Sequence, residues 1–168
     1  ALALYAAPLI PALLALWAVR LLDRWIVVRL LGLSQAPVYE LGRNLGMLTG
    51  LILPAFGAAW PRFAYSLMGH RSAAETYGRV LTWLVAITAF AAVTVVAITP
   101  ELTRLVAPSG YLSAGDIVLW IAGAQVAWAA YEILLFPLHV HKKTLVIAGI
   151  AGAICVLNII LGIVLVSR

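Results

Sequence analysis

The chain has 168 residues, 65% of them hydrophobic and 10% charged, with a formal net charge of +5. Soluble domains carry about 45–50% apolar and about 25% charged residues, and one core of this length has no room for the surplus. An ordinary water-soluble fold is therefore excluded, and an all-α, polytopic bundle of about five transmembrane helices is expected, since lipid solvates an apolar helix around its whole circumference. The positive balance does not mark a nucleic-acid partner. The basic residues fall singly or in small groups between apolar runs rather than as a stripe.

A span needs about 20 mostly apolar residues. The first candidate covers residues 2–31, with Pro8 and Pro11 near its start and Arg20, Asp23, Arg24 and Arg29 in its second part. A turn rich in small and polar residues then leads into a second span at 38–67. Pro54 and Pro61 fall inside it, predicting a kink near the first and a helix end near the second. Ser72 and Glu75 have capping-box spacing before a third span at 73–99, whose uncharged run 80–98 is the clearest in the chain. Pro100 is expected to open a loop holding a short amphipathic piece at 101–106. A fourth span follows at 117–138, then the basic turn His139-Val140-His141-Lys142-Lys143, then an uncharged fifth span at 145–166. All of this forms a single transmembrane domain. It opens within one apolar run and stops just after another, as expected of a fragment of a longer transporter.

The loops after the second and fourth spans hold Arg62, Arg71, Arg79, Lys142 and Lys143, against Arg104, Arg168 and Arg29 on the other side. Cytoplasmic loops are enriched in Lys and Arg, so the first group is assigned to the cytoplasm and the first helix runs outward.

Charges within spans are the sharpest functional signal, because each is costly unless it meets a cavity or a partner. Arg20, Asp23 and Arg24, spaced i, i+3 and i+4, share one helical face. Asp23 can neutralise Arg20, which leaves Arg24 as surplus positive charge, while snorkelling to the interface is the plain alternative. Glu40 and Arg43 repeat the i, i+3 spacing. Glu40 reads as a local ion-pair partner, and Arg43 as a planar fork able to hold an anionic ligand. Glu132, between Trp128 and Tyr131, reads first as half of an ion pair with an arginine across the bundle, and second as a site taking up a proton or cation. Asp23 is the other candidate for coupling.

Gly42, Gly46 and Gly50 recur every fourth residue, a ladder that suits close helix packing or sliding. Pro54 and Pro61 are candidate hinges, since irregular spans line transport cavities. His139 and His141 beside two lysines offer too few ligands for a metal, so no metal or cofactor is assigned. Cys155 has no partner for a disulfide. The six tryptophans fit interfacial belts or packing. With no nucleophile–base pair, phosphate loop or zinc spacing, no catalytic residues are assigned and an enzyme is not expected.

One family shares this order of elements. Leu22-Asp23-Arg24-Trp25 is followed by Leu30-Leu31-Gly32-Leu33, then by Val38-Tyr39-Glu40-Leu41-Gly42-Arg43 and Ala58-Ala59-Trp60-Pro61-Arg62-Phe63-Ala64-Tyr65. Tyr77-Gly78-Arg79-Val80-Leu81-Thr82 comes next, and Lys142-Lys143-Thr144 opens the fifth span. The order resembles the second half of bacterial polysaccharide biosynthesis proteins, the Wzx-type flippases of the multidrug/oligosaccharidyl-lipid/polysaccharide exporter superfamily. It covers almost the whole chain, as helices seven to eleven of at least twelve, and rests on order and spacing rather than on any single motif.

The resemblance implies a multi-pass protein of the bacterial inner membrane. It would flip undecaprenyl-diphosphate-linked oligosaccharide by alternating access, together with a missing N-terminal half. Arg20, Asp23, Arg24 and Arg43 would then line the substrate cavity. A cation-coupled multidrug exporter of the same superfamily is the nearest alternative. A membrane glycosyltransferase or polymer ligase is another, but such enzymes need catalytic acids or a large outward loop, and every loop here is short.

Overall fold

The computed structural model describes residues 32–106 and 114–166, together with Tyr111 and positions 10, 13, 14, 17, 25, 28 and 29; side chains are described as far as residue 160. The described elements are all helical. They comprise α1 (Ala36–Met47), a 3-10 turn (Leu48–Gly50), α2 (Leu53–Ser66), α3 (Ala73–Val106), α4 (Ala114–Val140) and α5 (Thr144–Val166). The chain divides into two compact units, one formed by Val38–Leu134 and the other by the two ends of the chain. The expected first span, residues 2–31, lies almost wholly outside the described residues.

Two helices, α3 and α4, are long and apolar enough to cross a membrane. At about 1.5 Å per residue they measure about 51 and about 40 Å, against a hydrocarbon core of about 30 Å. Only 17% and 22% of their most apolar stretches lie inside the fold, so neither resembles the core helix of a soluble protein. Phe90 and Leu105 on α3 and Trp120 on α4 are 75%, 84% and 73% exposed. Apolar surface on this scale marks an interaction with membrane or protein.

The second expected span is one helical path in two pieces. Its irregularity falls at the Leu48–Gly50 turn, ahead of Pro54. A proline disturbs the turn before it, because its ring crowds the carbonyl four residues back and its missing N–H leaves that carbonyl, here Gly50's, without a helical partner. The backbone tightens instead. Leu51 N–H donates to Leu48 O at 3.2 Å, and Phe56 N–H to Ile52 O at 3.0 Å. Leu51 (φ −56°, ψ −29°) and Ile52 (φ −74°, ψ −24°) stay right-handed helical, so the path is tightened rather than unwound.

Pro61 and Pro100 do not act as expected. The helix end placed near Pro61 is not there, and α2 continues to Ser66. The loop placed at Pro100 is helix as far as Val106. Pro137 sits inside α4, within the expected fourth span 117–138. An interior proline forfeits one backbone bond, whereas ending the helix strands up to four carbonyls, which is the larger cost where water is scarce. Glu75 also departs from its expected capping box, because Arg79 Nη2 engages its carboxylate at 2.6 Å.

Within the Val38–Leu134 unit, the broken helix lies tight against α4. A Cβ built on Gly42 would come within 2.6 Å of Ala114 O and 2.8 Å of Ile117 Cβ, and one on Gly46 within 2.6 Å of Ile121 Cβ. Gly50 meets Gln125 and Gly57 meets Glu132 in the same way. Gly42–Ile117, Gly46–Ile121, Gly50–Gln125 and Gly57–Glu132 are each 75 residues apart, so the two helices run parallel in one register for about 22 Å, through the 3-10 turn. The intervening α3 packs on that turn. It buries Leu84, Thr88, Val95, Thr99 and Thr103, and the three threonine hydroxyls donate to the carbonyls four residues back at 2.7–2.9 Å. These three hydroxyls thus enter the core already satisfied.

Tyr77 joins α3 to α2. Its hydroxyl donates to Ala64 O at 2.7 Å, and its ring meets buried Trp60 edge-on at 5.3 Å. Gly69, at φ 86°, supplies the left-handed residue that the α2–α3 turn requires. At the α4–α5 turn Lys142 takes that conformation (φ 54°), with Lys143 N–H reaching Leu138 O and Lys142 N–H reaching His139 O. This pattern is a Schellman cap with lysine in the usual glycine position.

The glycines separate into two kinds that substitution distinguishes. Gly46→Ala is expected to lower stability by about 1–3 kcal/mol through overpacking. Gly78→Ala, where nothing lies within 4 Å, should raise it by about 0.5–1 kcal/mol through helix propensity. Thermal unfolding of both variants in detergent checks this, and equal shifts would contradict the contact.

Candidate functional site

Along the α4 contact the chemistry changes at the 3-10 turn. Before it, Gly42 and Gly46 receive the apolar Ile117 and Ile121. After it, Gly50 and Gly57 receive the amide of Gln125 and the carboxylate of Glu132. Oε1 of Gln125 lies 2.5 Å from a Cβ position on Gly50, and Oε2 of Glu132 lies 2.9 Å from one on Gly57. Both polar side chains therefore occupy volume that any other residue would fill. Their i, i+7 spacing on α4 matches the glycines' i, i+7 spacing on the broken helix.

Glu132 is half-buried. Its Oε1 accepts a hydrogen bond from Trp128 Nε1 at 3.2 Å, and Trp128 in turn packs on Tyr131 with ring centroids 5.0 Å apart. The ion pair expected for Glu132 across the bundle is not formed with any described residue. Arg43 instead pairs on its own helix, with Nη1 3.5 Å from Glu40 Oε2, both side chains being about a quarter to a third exposed. That contact is long for a charge-assisted hydrogen bond, and Arg43 keeps most of its five donors for other acceptors. Asn44 beside it is exposed.

Thr49 stands in the 3-10 turn itself. It is 1% exposed, and its hydroxyl has no hydrogen-bond partner. Six other threonines, including exposed ones, donate to the carbonyl four residues back.

The structure therefore places Gly42, Gly46, Gly50 and Glu132 in one continuous contact, with Pro54 setting the break within it and Pro61 carried inside α2. Arg20, Asp23 and Arg24 lie outside the described residues. Gln125, Gly57 and Thr49 were not singled out from sequence, although the matched i, i+7 pairs were visible there. Among the described residues no three His, Cys, Asp or Glu side chains gather as metal ligands. No family model, curated protein or solved structure gives a significant match to the chain.

Trp128→Phe removes the indole N–H while keeping a ring against Tyr131. It should lower stability by about 0.5–1.5 kcal/mol, the usual worth of one hydrogen bond. Unfolding followed by circular dichroism measures this, and an unchanged midpoint would show the bond to be idle.

Proposed function

We propose that the chain is part of a multi-span transporter of the bacterial inner membrane that moves lipid-linked oligosaccharide by alternating access, as its resemblance to Wzx-type flippases implies. In this reading the broken α1–α2 path, α3, α4, α5 and the apolar stretch at residues 2–31 make about five spans. The observation that carries it is the placement of an amide and a carboxyl, Gln125 and Glu132, on the contact between the broken helix and α4. Such groups are costly at membrane depth and are retained where they meet a ligand or a partner.

Charge distribution supports an orientation. The α2–α3 end carries Arg62, Arg71 and Arg79 against Glu75, whereas the opposite end of the same unit carries Arg43 and Arg104 against Glu40, Glu101 and Asp116. The first end is then cytoplasmic. A diphosphate-linked substrate matches the surplus cationic groups Arg20, Arg24 and Arg43, because guanidinium forks bind phosphate oxygens in pairs.

The second reading, a cation-coupled exporter of small molecules, is favoured by one observation: Glu132 has no cationic partner among the described residues. The two readings separate in cells. Arg43→Ala and Arg24→Ala are expected to abolish export of surface glycan while membrane levels of the protein stay normal. Glycan export unchanged in both variants, with drug tolerance lost instead, would replace the first reading by the second.

A further inference from the structure

We propose that Glu132, seated on Gly57, is a proton-carrying carboxyl in the α2–α4 contact rather than half of a structural ion pair. This rests on the membrane-embedded reading and adds a ligand, the proton, to a residue that the glycan-export reading leaves without a task.

Three features of the contact support it. Among the described residues, Glu132 receives a single side-chain hydrogen bond, from the Trp128 indole. A neutral N–H cannot cancel a full negative charge, and an ionised carboxyl away from water either finds a cation or takes up a proton. Among the described residues, the charged groups around it supply no cation. On α4 the neighbouring titratable group is the Tyr131 phenol, packed against Trp128. Opposite, α2 presents Gly57, and its one arginine, Arg62, is exposed five residues further on. At that end of α3, Arg79 is held by Glu75 at 2.6 Å. The third feature is the seat. The second carboxyl oxygen fits only because residue 57 lacks a Cβ, and Gly50 makes equivalent room for the Gln125 amide one heptad earlier. The broken helix thus accommodates two polar groups where a packing ladder alone would call for apolar ones.

The site differs from the glycine contacts before the break in how it tolerates change. At Gly42 and Gly46 an added Cβ meets backbone oxygen and branched carbon, which cannot move aside. At Gly57 it meets the far end of a flexible side chain, so Gly57→Ala should leave the fold intact and turn the carboxyl out of its seat.

A membrane-soluble carbodiimide tests the proposal on the protein in its native membrane. The reagent reacts with the acid form. The carboxyl proton passes to one carbodiimide nitrogen as the carboxyl oxygen bonds to the central carbon, and the adduct rearranges to a stable N-acylurea without oxidation or reduction. An ordinary glutamate, with a pKa of about 4.3, is only about 0.2% protonated at pH 7. Mass spectrometry of wild-type protein labelled at pH 7 should find the adduct on Glu132. The label should be lost in Glu132→Gln, reduced in Gly57→Ala, and should fall about tenfold per pH unit once the carboxyl ionises. An unmodified Glu132 at pH 7 would overturn the proposal, and so would protection by sodium at constant pH, which would make the ligand a metal cation. Glycan export measured alongside in Arg43→Ala keeps the two readings apart, since export loss without a label on Glu132 removes the proton site and leaves the export reading standing.

Discussion

The arrangement depends on how closely two backbones approach. Four glycines on one helical path let α4 come within a distance that a single methyl group would forbid, and the constant 75-residue register shows that the approach is sustained rather than a local touch. In lipid, helices gain little from burying apolar groups against each other, so close packing and a few polar contacts carry association. Here both occur on the same surface. The apolar half sets the distance, and the polar half places an amide and a carboxyl in the same contact.

The 3-10 turn makes this combination possible. A sharp kink at Pro54 would have turned α2 away from α4 and ended the glycine face. A tightened turn that stays right-handed lets the face continue to Gly57, at the local cost of a threonine hydroxyl left without a partner. Short 3-10 stretches inside helices often mark hinges or strain. The packing of α3 on this turn means that any movement there would be felt by a third helix.

Much of the helical layout was legible in the sequence, because apolar runs of sufficient length leave few alternatives. The glycine face was legible too, since i, i+4 spacing identifies a face, but spacing cannot say which helix meets it. Gly57 was missed because it lies seven residues beyond Gly50, off the four-residue repeat. Pro61 and Pro100 were read as ends by local propensity, which the cost of stranding several carbonyls overrides. Glu132 was read as half of an ion pair or as a proton or cation site, and among the described residues it meets an indole N–H and a glycine seat, neither of which spacing could name. A sequence lists which charges exist but not which of them face each other.

The transport reading stands on α3 carrying the chain from one side of a bilayer to the other. Its two ends offer a direct test, with Ser72 just before the helix and Asp116 at the start of the next. Single cysteines at these positions, in a Cys155→Ser background, can be probed with a membrane-impermeant maleimide applied to oriented vesicles. The residue 72 thiol should react only from the cytoplasmic face and the residue 116 thiol only from the opposite face. Reaction of both from the same face would contradict the crossing, and with it the transport reading.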